Sequence, residues 1–276
     1  MIEELVARFQ DRLNAEGGVG VSRMFDLPAF AVSNHHTIIG EDYETIAACV
    51  DKVLADFPGE SQPKVRLVVE NTMTVAPTLF ITQISKSVRS DVATMHMDPW
   101  TEHWIVRLTP VGPKLAGMLN FFGNRVDVAA LGTPKSVERR AKSIDEFTAN
   151  YRIGIETLDL GMIGQSLEFP AIAVMADYTR MIPDFATCLQ FADHLRNQTQ
   201  DAGLKITHAK SRAPIAVGAD LIMIPVDLDI RNISENKAIQ IEQCLVLYVG
   251  DDGISCVAVF NALDGTLARL AQAEVR

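Results

Sequence analysis

The stretch His96-Met97-Asp98-Pro99-Trp100-Thr101-Glu102-His103-Trp104 is the densest grouping of chemically versatile side chains in the sequence, holding two of its six histidines and both tryptophans. Two imidazoles and two carboxylates this close together supply a general base with an orienting partner, or ligands for a divalent cation. His96, Asp98 and His103 are therefore the candidate catalytic residues. Pro99 interrupts regular backbone geometry and the spacing fits no ligand pattern, so no metal site is expected. The competing reading is structural. Trp and Met are favoured at buried contacts, and the same residues would serve a loop that caps an interior or packs on another domain.

A second polar difference lies at His35-His36, where a later, related stretch carries Asp177-Tyr178. Side chains alternate along a strand, so one member of each pair faces inward. Together with Trp100 and Trp104, His36 and Tyr178 form the candidate ligand-binding set. Asp227 and Asp229 stand two apart and could act as a like-charge pair with one raised pKa. The aligned residues Ser85 and Ser87 argue against a duplicated site, and solvated strand carboxylates are the ordinary case. His194 and His208 have no partner visible in the sequence. Gly17-Gly18-Val19-Gly20 follows a helix instead of a strand, the wrong context for a dinucleotide loop, and no nucleophile elbow occurs. No cofactor is expected.

These candidates sit on a duplicated scaffold. Asp26-Leu27-Pro28-Ala29-Phe30-Ala31-Val32 returns as Glu168-Phe169-Pro170-Ala171-Ile172-Ala173-Val174, an offset of 170 − 28 = 142. The same offset joins Asp42 to Asp184, Asp51 to Asp193 and Arg89 to Arg231. An internal repeat decides the architecture before any local feature does. Each copy begins with a helix, Ile2, Leu5, Phe9 and Leu13 on one face in the first, and Ile144, Phe147, Tyr151 and Ile155 in the second. Gly17-Gly18 supplies a stop for the first. The repeated Pro motif reads as a short strand with Pro at its start, because Pro would break a strand's middle.

A second helix follows in each copy, with Asp42 and Asp184 suited to N-cap it. Its buried face uses Ile46, Val50, Val53 and Leu54 in the first copy, and Cys188, Leu189, Ala192 and Leu195 in the second. Asp51 and Asp193 fall off that face and read as solvated. Four strands are expected after each helix, at 64–70, 78–89, 102–109 and 118–122, then at 205–210, 220–231, 238–249 and 254–261. Matching Val111-Gly112 to Val249-Gly250 gives an offset of 250 − 112 = 138, and so about four extra residues in the first copy near His96. The domains are expected at 1–131 and 136–276, joined by a Gly/Pro/Ser linker.

Composition narrows the function. A net charge of −10 and a pI near 5.1 leave no basic field for a phosphate backbone, which excludes nucleic acid as an expected partner. The N-terminus is acidic where a secretory signal is basic, and no apolar run approaches a membrane span, so a cytoplasmic location with no membrane partner is expected. Cys49, Cys188, Cys244 and Cys256 lie in apolar segments without a C-x-x-C pair and read as small buried hydrophobes.

The order helix, short strand, helix, four strands, with the Phe-Pro-Ala-Ile-Ala-Val run before a capped helix, resembles the nuclear transport factor 2-like (cystatin-like cone) superfamily. The resemblance covers nearly the whole chain twice. It implies an α+β fold of two tandem cone-like domains, each a curved antiparallel sheet wrapped around helices and enclosing a cavity. It also implies an intramolecular pseudo-dimer of the two repeats. A double hotdog is the alternative, although hotdog copies usually begin with a strand. The superfamily hosts isomerases, dehydratases, cyclases and proteins that only bind or associate. The leading expectation is a binder of a small apolar molecule. The alternatives are an isomerase, dehydratase or cyclase using the first repeat's His and Asp residues, or a protein-assembly module.

Overall fold

The computed structural model describes residues 1–33, 36–57, 63–89, 99–121, 133–134, 141–233, 237–251 and 253–261. The chain forms two compact units, Met1–Pro134 and Lys135–Arg276. The first runs α1 (Ile2–Ser22), β1 (Phe25–Ser33), β2 (His36–Gly40), α2 (Tyr43–Ala55), β3 (Lys64–Ala76), β4 (Leu79–Arg89), β5 (Trp100–Thr109), β6 (Gly112–Leu119) and the short β7 (Thr133–Pro134). The second runs α3 (Ile144–Thr157), α4 (Leu160–Ser166), β8 (Leu167–Val174), β9 (Thr179–Ile182), α5 (Phe185–Asp201), β10 (Leu204–Ser211), the short β11 (Ile215–Ala216), β12 (Leu221–Asn232), β13 (Lys237–Gly250) and β14 (Gly253–Phe260).

The sheet orders are β3-β4-β5-β6-β1-β2-β7 and β10-β12-β13-β14-β8-β9, with β11 paired to β12. Apart from the two short additions they correspond strand for strand. The fold is α+β, but the sheets are mixed and not wholly antiparallel as expected. β1 lies parallel to β6, and β8 parallel to β14. The hairpins from β3 to β6 and from β12 to β14 must alternate in direction. The motif strand closes each sheet through the whole intervening chain, so no tight turn forces it antiparallel.

Pro28 and Pro170 lie inside β1 and β8, not at their starts. Each falls where the ladder to its parallel neighbour shifts register, between Phe25 and Phe30 in β1 and between Leu167 and Ile172 in β8. A residue without an N–H is tolerated there because the ladder does not need its donor. Both prolines follow cis peptide bonds.

Gly17 does not end α1. At φ 62, ψ −142 it kinks the helix, which resumes to Ser22. The kink lets Gly18 N donate to Asp51 Oδ1 at 2.6 Å, so Asp51 ties α2 to α1 instead of being merely solvated. A Cβ on Gly18 would come within 2.1 Å of the Ala47 carbonyl oxygen, which demands glycine at this helix crossing. Asp42 and Asp184 do cap α2 and α5, accepting from Thr45 N at 2.6 Å and Thr187 N at 2.7 Å. Ile46, Val50, Val53 and Leu54 are buried as expected, and so are Cys188 and Leu195, whereas Leu189 is 38% exposed.

The register between copies also differs from the sequence reading. Thr109 pairs with Gly112 at the β5–β6 turn and Gly250 with Gly253 at the β13–β14 turn. Gly112 therefore corresponds to Gly253, not Gly250, and 253 − 112 = 141. Both have positive φ, 110° and 123°, which is why glycine recurs there. Against 142 before β5, the first copy carries one extra residue and not four.

In each unit the helices cover one face of the sheet. Leu5, Phe9, Leu13, Val53, Ile84, Trp104 and Val106 are among the side chains of the first core, and Phe147, Tyr151, Ile155, Leu228 and Leu245 among those of the second.

Candidate functional site

Strand alternation sends Thr82, Ile84, Lys86 and Val88 of β4, and Trp100, Glu102, Trp104 and Val106 of β5, to the helix-covered interior of the first unit. Two of these positions carry charge. Lys86 is 2% exposed and Glu102 fully buried, and Lys86 Nζ donates to Glu102 Oε1 at 3.0 Å. The indole N–H of Trp100 donates to the same oxygen and that of Trp104 to Oε2, each at 3.1 Å. The lysine ammonium also lies 5.7 Å from the Trp100 ring and 5.8 Å from the Phe121 ring. Phe9 of α1 closes the far side, edge-on to Trp104 at 4.7 Å.

Burial works against the charged ammonium and pulls the Lys86 pKa below its ordinary value, while the adjacent Glu102 carboxylate opposes the shift. Among the described residues three donors meet this carboxylate, and in a low-dielectric interior such hydrogen bonds offset the cost of burying the charges.

An apolar cleft of about 40 Å³ opens between β1, β2, β6 and α2, with Ala31, Ile38, Cys49, Met118 and Phe121 in its wall. Phe121 thus faces both the cleft and the Lys86 ammonium.

The second unit builds the same place differently. Ile84 pairs with Glu102 in the first sheet and Val226 with Gln243 in the second, so Gln243 stands where Glu102 does. By the same register Lys86 becomes Leu228, Trp100 becomes Ile241 and Trp104 becomes Leu245. Gln243 accepts the Tyr151 hydroxyl at 2.8 Å and donates to the Asn261 carbonyl at 3.2 Å. Among the described residues, no charged side chain takes the places of Lys86 and Glu102 here.

Of the residues named from the sequence, His96 and Asp98 lie outside the described residues. His103 is buried at 4% exposure, on the face of β5 opposite Glu102, and its Nδ1 has no hydrogen-bond partner. Burial lowers its pKa to about 4, against the opposing pull of Glu102. Trp100 and Trp104 are interior, as described. His36 is half-buried on the face of β2 that carries Ile38, and Tyr178 is 41% exposed at the turn before β9.

Asp227 lies opposite Glu242 on the neighbouring strand, and Arg212 counters both carboxylates, its Nε 3.5 Å from Asp227 Oδ2. His208 likewise has a neighbour, Glu156 Oε1 at 3.5 Å from Nδ1. Asp26 pairs across the sheet with Arg107, and Ser255 donates to Glu168. Among the described residues no three His, Cys, Asp or Glu side chains are grouped to hold a metal ion, and no helix is long and apolar enough to cross a membrane. The four cysteines are free thiols, Cys49 half-buried and the others buried.

Lys86 escaped the sequence reading. The signal was present: a lysine and a glutamate occupy inward positions of adjacent strands whose other inward residues are apolar or aromatic.

No family model and no curated protein matches the sequence. Solved structures do match it, and several are described as cystatin-like or nuclear transport factor 2-like. A domain of unknown function with a cystatin-like fold from Nostoc punctiforme is 17% identical, with a TM-score of 0.36 over 43% of this chain and 72% of that one. A nuclear transport factor 2-like protein with a cystatin-like fold from Novosphingobium aromaticivorans is 15% identical, with a TM-score of 0.34 over 48% of this chain and 86% of that one. A protein from Catenulispora acidiphila in complex with S-DNPA is 10% identical, with a TM-score of 0.35 over 42% of this chain and 87% of that one. These are likenesses of fold, each over less than half of this chain.

Proposed function

We propose that the first unit is a nuclear transport factor 2-like cone that binds a small, largely apolar molecule, and that the second is a cone of the same kind serving as scaffold. The observation that carries this reading is the Lys86–Glu102 pair, kept inside one unit and replaced by Leu228 and Gln243 in the other. A buried ion pair is a poor source of stability compared with well-packed hydrophobes. Retaining it in one copy only fits a polar corner that orients a ligand, the usual arrangement of an apolar pocket with a few placed polar groups. The cleft beside Phe121 holds about 40 Å³, so it accepts the end of a ligand and not a drug-sized body of ~300 Å³.

Trp100 and Trp104 are the only tryptophans in the chain and both donate to Glu102, so indole emission reports on this site alone. The test is titration with the neutral probe N-phenyl-1-naphthylamine, read as energy transfer from the indoles. Saturable transfer that is lost in Ala31→Leu, which adds three carbons to the cleft wall, supports the reading. Transfer that does not saturate, or that survives Ala31→Leu unchanged, overturns it.

A further inference from the structure

On the first unit, away from the apolar cleft, a second cleft of about 280 Å³ is bordered by Arg8 and Arg12 of α1, Arg23 at its C-terminus, Lys114 of β6, and the apolar Met24 and Pro113. Four cations converge here although the chain has a net charge of −10. None is paired with a carboxylate among the described residues. Glu4 and Glu16 stand four residues from Arg8 and Arg12, the spacing at which helical ion pairs form, yet neither pair is made.

Main-chain carbonyls hold two of the cations in place instead. Arg12 Nη1 donates to Gly20 O at 3.4 Å, and Lys114 Nζ donates to Arg23 O. A neutral carbonyl fixes the position of a cation without cancelling its charge. The kink at Gly17 makes this possible, because it turns the last part of α1 so that Gly20 meets Arg12.

The cluster also belongs to one copy. At the offset of 142, Arg8, Arg12 and Arg23 correspond to Asn150, Gly154 and Gln165, and at 141 Lys114 corresponds to Ser255. The fold therefore does not require these charges.

We infer that the Arg8, Arg12, Arg23 and Lys114 cleft binds a small phosphate-bearing molecule. A planar carboxylate is saturated by one guanidinium fork, whereas cations arriving from a helix and a strand suit a tetrahedral group whose oxygens point in several directions. The size of the cleft and the acidic balance of the chain favour a small molecule over a nucleic-acid backbone.

The test is calorimetric titration of the full chain with inorganic pyrophosphate, with citrate and with vesicles containing phosphatidate. Pyrophosphate should bind, and the Arg8→Gln/Arg12→Gln double variant should weaken it by about tenfold or more, because two sets of charge-assisted hydrogen bonds are lost. Arg66→Gln, an exposed arginine on β3, should leave the affinity unchanged. Arg23→Gln gives an independent reading if the double variant folds poorly. Absence of pyrophosphate binding, equal loss in Arg66→Gln, or no loss in the cleft variants overturns the inference. Tighter binding of citrate overturns the phosphate assignment, and binding to vesicles alone overturns the small-molecule source.

Discussion

Glu102 and Gln243 occupy the same rung of the same ladder in their two sheets, opposite Ile84 in one and Val226 in the other. Both are buried and both are held by side chains from their own unit. One is a carboxylate met by an ammonium and two indoles, the other an amide met by a phenol. The chain has thus solved the burial of one polar group twice, with charge in one unit and without it in the other.

The first prediction follows from that difference. Lys86→Leu removes the ammonium from beside a buried carboxylate and should destabilise the first unit by about 3–5 kcal/mol. Lys86→Leu/Glu102→Gln, which copies Leu228 and Gln243, should recover most of the loss. Urea unfolding followed by tryptophan emission measures both, since the two indoles belong to this unit. A double variant no more stable than the single one would show that the pair is not coupled.

In the second unit, Tyr151→Phe removes the hydroxyl that Gln243 accepts and leaves a buried amide oxygen unpaired. The expected cost is about 1–3 kcal/mol. The far-UV circular dichroism melt should shift down while the tryptophan-detected transition stays in place, because the second unit has no tryptophan.

His103 sets an acid limit. Its folded pKa of about 4 lies below the ordinary 6.5, so between these values the unfolded chain binds a proton that the folded chain refuses. Stability is therefore complete above pH 6.5 and falls as the pH drops toward 4, by about 3 kcal/mol in all. His103→Cys, which installs the residue found at the equivalent Cys244, should flatten this part of the pH profile. A wild-type profile already flat between those limits would contradict the buried, neutral assignment.

Asn120 and Asn261 end β6 and β14 with φ of 57° and 55°. Their side chains donate to the carbonyls of Thr101 and Glu242 at 2.7 Å and 2.5 Å. Replacement by Ala loses the bond and strains the backbone, whereas replacement by Gly loses only the bond. Each Ala variant should cost about 1–3 kcal/mol and each Gly variant less. Thermal unfolding of the four variants separates the two contributions.

Much of the fold was legible because its signals are local. Asp42 and Asp184 precede helices that lack their own first acceptors, and the apolar periodicity of Ile2, Leu5, Phe9 and Leu13 needs no partner to be seen. The offset of 142 placed the two units in correspondence from their first helix to Arg231. Pro28 and Gly17 depart from their sequence expectations because a single residue carries no record of what its neighbours need. Pro28 is accommodated by a break in a ladder with β6, a strand some ninety residues away. Gly17 turns the chain without ending the helix because Asp51 receives the next N–H. The Val-Gly match at 138 is a local coincidence of residue types, whereas positive φ at Gly112 and Gly253 marks the equivalent turns and sets the register at 141.

The sequence by itself determined the duplication, the capped second helix of each copy and the stretch near His96 to Trp104 in which the copies differ, but not the short elements β2, β9 and α4. Only the tertiary structure decided which side chains of that stretch face inward. Alternation places Glu102 inside and His103 on the opposite face, and sheet register, not chain proximity, brings Lys86 to the carboxylate. The four cations of α1 and β6 converge for the same reason, since a helix kink and a strand pairing bring together residues that the chain holds far apart.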